Sequence, residues 1–221
     1  MNTVIYQFEY PRPDNVSDKV HFFLDQCIES IQEYAERHGY DYKLFTKFTP
    51  EFGELWKDYS TDITHFDGRG WKYHYGWVSH LKDLASQYDN IIKMDTDVYA
   101  MKPEIEFPHL DKSGFVTHDR PNKFGTDKFN HNTGVIKLDK QTALLYYEWT
   151  MKNLNREEAD QFNTQRFLID NPECFNPILD RKFNCTPGRD KEFPDVVFYH
   201  AAGIPDETKY DALCTTLEKY T

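Results

Sequence analysis

The order of apolar patterns in the first 45 residues is the tightest constraint on the fold. Thr3 to Tyr10 (TVIYQFEY) is rich in β-branched and aromatic residues and stops at Pro11 and Pro13, which reads as a buried first strand. From Asp18 to His38 the apolar residues Val20, Phe23, Leu24, Cys27, Ile28, Ile31, Tyr34 and Ala35 recur at spacings of three and four. Those spacings define one helical face, and Gly39 supplies the stop. Tyr40 to Phe45 then alternates as a second strand. A β-α-β opening predicts two parallel strands joined by a right-handed crossover.

The remainder continues the alternation. Residues 46–70, with Pro50, Gly53, Gly68 and Gly70, read as an excursion with little regular structure. Trp71, Tyr75, Val78, Leu81, Leu84, Ala85 and Tyr88 predict a helix over 71–88. Asn90 to Met94 is an apolar run of strand length that ends directly at Asp95-Thr96-Asp97. A strand is expected at Phe115 to Thr117, then a polar, turn-rich loop, then a strand at Val135 to Leu138. Helices follow near 140–154 and 157–169, then a last strand from Asp195 to Tyr199 ending at His200, and a helix near 206–220. This pattern predicts an α/β fold, one domain spanning 1–221, with a central, mostly parallel mixed sheet flanked by helices.

Charge and composition exclude several functions. Lys and Arg number 26 against 37 Asp and Glu, so the formal net charge is −11. Phosphate backbones and anionic membranes need clustered basic residues, so neither nucleic acid nor an anionic membrane is an expected partner. Only 39% of residues are hydrophobic, but aromatics reach 16%, and large rings build a core from few positions. No stretch approaches the ~20 apolar residues of a membrane helix, and Met1 to Tyr10 has no basic segment before an apolar run. Cys27, Cys174, Cys185 and Cys214 are widely spaced, which fits free thiols better than a zinc site or a disulfide frame. A soluble, cytoplasmic protein is expected.

The chemistry concentrates at Asp95 and Asp97. Ligands of open α/β sheets bind beyond the carboxyl ends of the strands, where this pair stands. Two carboxylates so close repel each other, and a bridging hard cation such as Mg²⁺ or Mn²⁺ relieves the repulsion.

In that setting the stretch YDNIIKMDTDVYAMKP resembles the DxD region of glycosyltransferases with the GT-A fold, which use nucleotide-sugar donors. Four further segments recur in the order those enzymes show. TVIYQFEY resembles the first strand, whose end meets the nucleobase. FNHNTGVIKL resembles the strand beside the sugar pocket, Ala159-Asp160-Gln161 resembles an Asp-Gln pair opening a later helix in several retaining members, and FYHAAG resembles the terminal strand whose histidine completes the metal site. The resemblance spans nearly the whole chain and implies a Rossmann-like GT-A domain, residues 1–100 being the nucleotide-binding half and 101–221 the sugar and acceptor half.

Carried over residue by residue, it implies that Asp95, Asp97 and His200 bind Mn²⁺ or Mg²⁺. Asp160 and Gln161 become the catalytic candidates beside the transferred sugar. Gln7, Phe8, Lys72, Asp119, Asn132, Thr133, Gly134 and Gly203 become substrate-binding candidates. The segments 46–70 and 118–133 would recognise the acceptor, with His118, Asp119 and Arg120 as their chemical groups. The chain departs from the resemblance at Lys209, which stands nine residues after His200 where a lysine about six residues on and a Pro-Trp pair would be expected. The implied activity is transfer of a hexose from a UDP-linked donor to a hydroxyl acceptor with retention, in a compact enzyme suited to a bacterial or viral glycan pathway.

Two other classes compete. A phosphatase of the haloacid dehalogenase type also sets Asp-x-Asp after an apolar strand, but near the start of its domain. Such enzymes carry Thr or Val at the fourth position after the first Asp, where this chain has Tyr99. A nucleotide-sugar or carbohydrate-binding module without turnover is the other reading. Metal-dependent donor hydrolysis separates that module from an enzyme.

Overall fold

The computed structural model describes the chain apart from residues 10, 11, 13–16, 58–70, 111, 112, 118–130, 157, 175–178, 187–194, 203, 205–207 and 221, and the side chains of Trp71, Lys72, Val116, Thr117 and Tyr220. β1 (Thr3–Phe8) leads through α1 (Asp18–Arg37) to β2 (Asp41–Phe45), and β1 and β2 are parallel neighbours. After α2 (Pro50–Glu54) come two 3-10 turns at Trp71–Tyr75 and Val78–His80, then α3 (Leu81–Gln87), β3 (Asn90–Met94) and β4 (Val98–Ala100). The chain continues through β5 (Gly114–Thr117), β6 (His131–Asp139), α4 (Lys140–Asn153), α5 (Asp160–Asp170), β7 (Phe198–His200) and α6 (Lys209–Tyr220).

The main sheet has the order β2-β1-β3-β6-β5. Its β2-β1-β3 half is parallel, while β6 runs antiparallel to both β3 and β5. Both faces of β1 and β3 are covered, which explains why TVIYQF and NIIKM read as continuous apolar runs. Val4, Tyr6, Phe8 and Ile91 pack with α3, α4 and α5 on one face, and Ile5, Ile92 and Met94 pack with α1 on the other. Phe23, Phe52, Phe115, Phe167 and Phe198 are essentially sealed from water. Each such ring contributes about 1.5–3 kcal/mol of burial, so the aromatic content offsets the modest apolar fraction. Among the described residues no helix is long and apolar enough to cross a membrane. The four cysteines are free thiols, Cys27 and Cys185 buried.

Several boundaries differ from the sequence reading. The helix expected over 71–88 is broken into two 3-10 turns and α3. At Gly76 the backbone passes so close to Phe8 that a Cβ would lie 2.1 Å from its ring, and the bonds there close at i to i+3, Gly76 N–H to Tyr73 O at 3.1 Å and Ser79 N–H to Gly76 O at 3.2 Å. The break turns Trp77 inward. The strand expected at Val135 begins four residues earlier, at His131, because its polar first residues are buried rather than looped. The last strand is short, Phe198–His200, and pairs with β4 in a separate two-stranded sheet that sets Val98 opposite His200. That pairing carries His200 to the Asp95-Thr96-Asp97 turn.

Candidate functional site

Asp95, Thr96 and Asp97 form the turn between β3 and β4, and the turn is braced from three sides. Asp95 N–H donates to Gly134 O of β6 at 2.8 Å, and Asp95 O accepts Val98 N–H at 3.2 Å. Gln7 Nε2 donates to the same Asp95 carbonyl at 2.9 Å, while its Oε1 accepts Tyr42 Oη–H at 2.6 Å. Asp97 O accepts Ala201 N–H at 3.1 Å, which ties the turn to the end of β7. Both carboxylates are therefore placed by backbone geometry.

One ligand atom from each of Asp95, Asp97 and His200 lies within 4.8 Å of the others. His200 Nε2 is 3.5 Å from Asp95 Oδ2 and 3.3 Å from Asp97 Oδ1. The hydrogen bonds behind the ring assign its tautomer. Gly134 N–H can only donate, so its partner at 2.6 Å is the Asn132 oxygen. That oxygen also faces the amide nitrogen of Asn184 at 2.9 Å, which leaves Asn184 Oδ1 to accept from His200 Nδ1 at 2.8 Å. With the proton on Nδ1, the neutral form of the ring turns its Nε2 lone pair toward two carboxylate oxygens, while the protonated form donates to them and is the one that draws their pKa values down. Two oxygens and an imidazole nitrogen sharing a focus are the donors a divalent cation of the Mn²⁺ or Mg²⁺ kind takes, so the residues present fit such an ion. Replacing Asn184 by Leu is expected to weaken Mn²⁺ binding by about 10–100-fold, because the ring loses its orienting partner. Calorimetric titration of the variant checks this, and unchanged affinity refutes the assigned role.

Two lysines complete the charge pattern. Lys93, only 2% exposed, bonds Asp95 Oδ1 and the carbonyl of Thr133. Lys209 Nζ bonds Asp97 Oδ2 at 2.9 Å. Burial raises the Asp95 pKa, against the pull of Lys93 and His200. Burial acts the same way on Asp97, but Lys209 and His200 outweigh it and hold that carboxyl well below its ordinary value. Lys209 thus reaches the centre despite its displaced spacing in the sequence.

A third carboxylate stands close by. Asp160 opens α5, is 6% exposed, and accepts Trp77 Nε1–H at 2.7 Å on Oδ2 and Gln161 N–H at 2.8 Å on Oδ1. Trp77, placed by the break at Gly76, lies under Lys93 with the ammonium 5.3 Å from its ring centroid. Burial raises the Asp160 pKa, opposed first by Lys93 and then by hydrogen bonds from Trp77 and Thr133.

The expected site residues therefore fall into three groups. Asp95, Asp97, His200, Asn132, Thr133, Gly134 and Asp160 converge, with Gln161 following Asp160 in the first turn of α5. Gln7 is fully buried and supports Asp95 with both ends of its amide, and Phe8 stacks on Phe48 at 5.4 Å. Asp119 and Gly203 lie outside the described residues, as do His118 and Arg120, and Lys72 is described only along its backbone in the first 3-10 turn. Lys93, Trp77 and Asn184 were not singled out from the sequence. A lysine inside an otherwise apolar strand, two residues before an aspartate, is the one signal that pointed to any of them.

No protein-family model matches the chain, and no curated protein matches it by sequence. Solved structures do match by shape. A glycosyltransferase involved in the glycosylation of the major capsid of PBCV-1 superposes with a TM-score of 0.62 at 12% identity, over 97% of this chain and 100% of the other. The galactosyltransferase LgtC, in complex with donor and acceptor sugar analogs, gives 0.57 at 13% identity over 98% and 93%. Mouse xyloside xylosyltransferase 1 gives 0.52 at 13% over 93% and 100%. The chain has the fold of these GT-A glycosyltransferases.

Proposed function

We propose that the protein is a metal-dependent glycosyltransferase that moves a hexose from a UDP-linked donor to a hydroxyl acceptor with retention. The observation that carries this reading is the donor set of Asp95 Oδ2, Asp97 Oδ1 and His200 Nε2 at the carboxyl end of β3, with the buried carboxylate of Asp160 next to it. Asp95, Asp97 and His200 would hold Mn²⁺ or Mg²⁺, which when bound neutralises the donor diphosphate and stabilises the departing nucleoside diphosphate. LgtC, of the same fold, was crystallised with donor and acceptor sugar analogs, which supports the substrate class.

The chain's own residues divide the remaining work. Asp160, oriented by Trp77 and Gln161, offers a fixed negative charge to the positive charge that develops at the anomeric carbon. Gln161 adds an amide on the same turn. Thr133 and Gly134 border the centre, and the absence of a side chain at Gly134 leaves the space that the His200 ring fills. Gln7 and Phe8 end β1 on the base side, residues 1–100 form the nucleotide half, and residues 101–221 form the sugar and acceptor half. Gly203, Lys72 and the 118–133 segment with Asp119 supply further substrate contacts. Free cysteines fit a reducing compartment such as the cytoplasm.

The test is donor turnover. Purified protein with UDP-hexoses is expected to transfer sugar, or slowly hydrolyse the donor, with Mn²⁺ or Mg²⁺ and not after chelation, and NMR of the first product reports the anomer. Asp160→Asn keeps the shape but removes the charge and loses one hydrogen bond, because its NH2 must face either Trp77 Nε1–H or Gln161 N–H, which only donate. It is expected to lower turnover about 100-fold or more while leaving Mn²⁺ binding within about threefold. Donor binding with no turnover under any cation would establish the binding module instead.

A further inference from the structure

The two carboxylates of the centre are held in the same way. Each gives one oxygen to a lysine, Asp95 Oδ1 to Lys93 and Asp97 Oδ2 to Lys209, and turns the other toward His200 Nε2. The inner oxygens are turned to where a cation would sit, but each of these two carboxylates is already paired with an ammonium group. Lys93 is the fixed member of this arrangement. It sits within β3, bonds the Thr133 carbonyl where the β5–β6 register slips between Phe115 and Val116, and is roofed by the Trp77 ring. At 2% exposure its ammonium is turned inward, away from solvent.

We infer that Lys93 is a positioning residue that makes divalent-cation binding conditional on an anionic ligand. It holds Asp95 with a single oxygen inward and cancels that carboxylate's charge, so the centre presents well-placed donors with little net attraction. A diphosphate arriving with the cation supplies the missing negative charge, and each then raises the affinity for the other. This inference rests on the proposed function, because it takes a nucleoside diphosphate as the anion. Loss of Lys93 has two opposed effects on the cation: Asp95 is less well oriented, and a positive charge on the far oxygen of the same carboxylate disappears. At these separations the charge effect is the larger.

Bound Mn²⁺ can be followed by electron paramagnetic resonance, with and without UDP, in the wild-type protein and in Lys93→Met. The wild type is expected to bind Mn²⁺ alone at least about tenfold more weakly than with saturating UDP. Lys93→Met is expected to bind Mn²⁺ alone about tenfold more tightly than wild type and to lose most of the dependence on UDP. If Lys93→Met does not fold, Lys209→Met removes the matching contact on Asp97 and is expected to shift Mn²⁺ affinity in the same direction. A folded Lys93→Met with unchanged Mn²⁺ binding overturns the inference, as does an unchanged Lys209→Met where Lys93→Met is lost. A wild type that binds Mn²⁺ and UDP independently overturns it while leaving the proposed function intact. A wild type that binds neither overturns both.

Discussion

Replacing Asp97 by Ala is expected to lower metal-dependent sugar transfer by about a thousandfold while leaving the protein folded. The carboxylate contributes one of three donor atoms at the centre, its Oδ1 standing 3.3 Å from His200 Nε2. Losing a ligand to a cation that stabilises a leaving diphosphate removes several kcal/mol from the transition state, and about 4 kcal/mol corresponds to that factor. The structural damage is smaller. The backbone carbonyl of residue 97 still accepts Ala201 N–H, and the lost side-chain contact is the 2.9 Å bond to Lys209. A cost of about 1–3 kcal/mol in stability follows from taking this buried charged hydrogen bond away. Asp97→Asn separates the two effects, since the amide keeps the shape and removes the charge. Thermal denaturation beside transfer assays reads both, and Asp97→Ala turnover within about tenfold of wild type would remove Asp97 from the metal assignment.

Much of the fold was legible because burial on both faces leaves long apolar patterns. The β1-α1-β2 opening and β3 follow directly from runs and periodicity, and β3 ends where the acidic pair begins. The misread elements failed for physical reasons. Trp77, Val78 and Leu81 have helical spacing, but the approach of Gly76 to Phe8 forces i to i+3 closure there. Asn132 and Thr133 look like loop residues, yet they are buried because their polar atoms find partners from other elements, Asn184 on Asn132 and Lys93 on Thr133, and His131 is buried edge-on against the Phe115 ring.

The site shows the same division. Asp95, Asp97 and His200 were nameable because their residue types and strand-end positions carry chemistry by themselves. Asn184 was not, because it acts only through the tautomer it imposes on His200, and that relation is not local in sequence. Lys209 was discounted on spacing, yet α6 brings its ammonium to Asp97 across 112 positions. Net charge misleads in a related way. A chain of −11 seems poorly suited to a diphosphate, yet the centre itself pairs its metal-facing carboxylates with Lys93 and Lys209. Local balance, not the total, governs what the centre attracts.

Gly134→Ala is the substitution expected to harm both stability and the centre. A Cβ at this position would lie 2.1 Å from His200 Cε1, 2.3 Å from its Nδ1 and 2.7 Å from Asn132 Oδ1. A flexible side chain would step aside, but this ring is held from behind by Asn184 at 2.8 Å. If the ring swings out, the amide of Asn184, 2% exposed, loses its acceptor role and stays buried. If β6 shifts instead, the 2.8 Å bond from Asp95 N–H to Gly134 O breaks and the aspartate turn loosens. Either route costs about 2–4 kcal/mol and misplaces a cation ligand, so Mn²⁺ affinity is expected to fall at least about tenfold. The clash has one dominant partner, which makes it testable by a double-mutant cycle. In a His200→Ala background the added methyl occupies the space the ring has left and only the 2.7 Å approach to Asn132 Oδ1 remains. Gly134→Ala is then expected to cost about 1–3 kcal/mol less than in the wild type, which is the coupling between the two positions. Equal costs in both backgrounds would show that the methyl group is excluded by the strand and not by the histidine. In that case the absence of a side chain at Gly134 serves the backbone alone, and the close packing of His200 against it is incidental to the cation site.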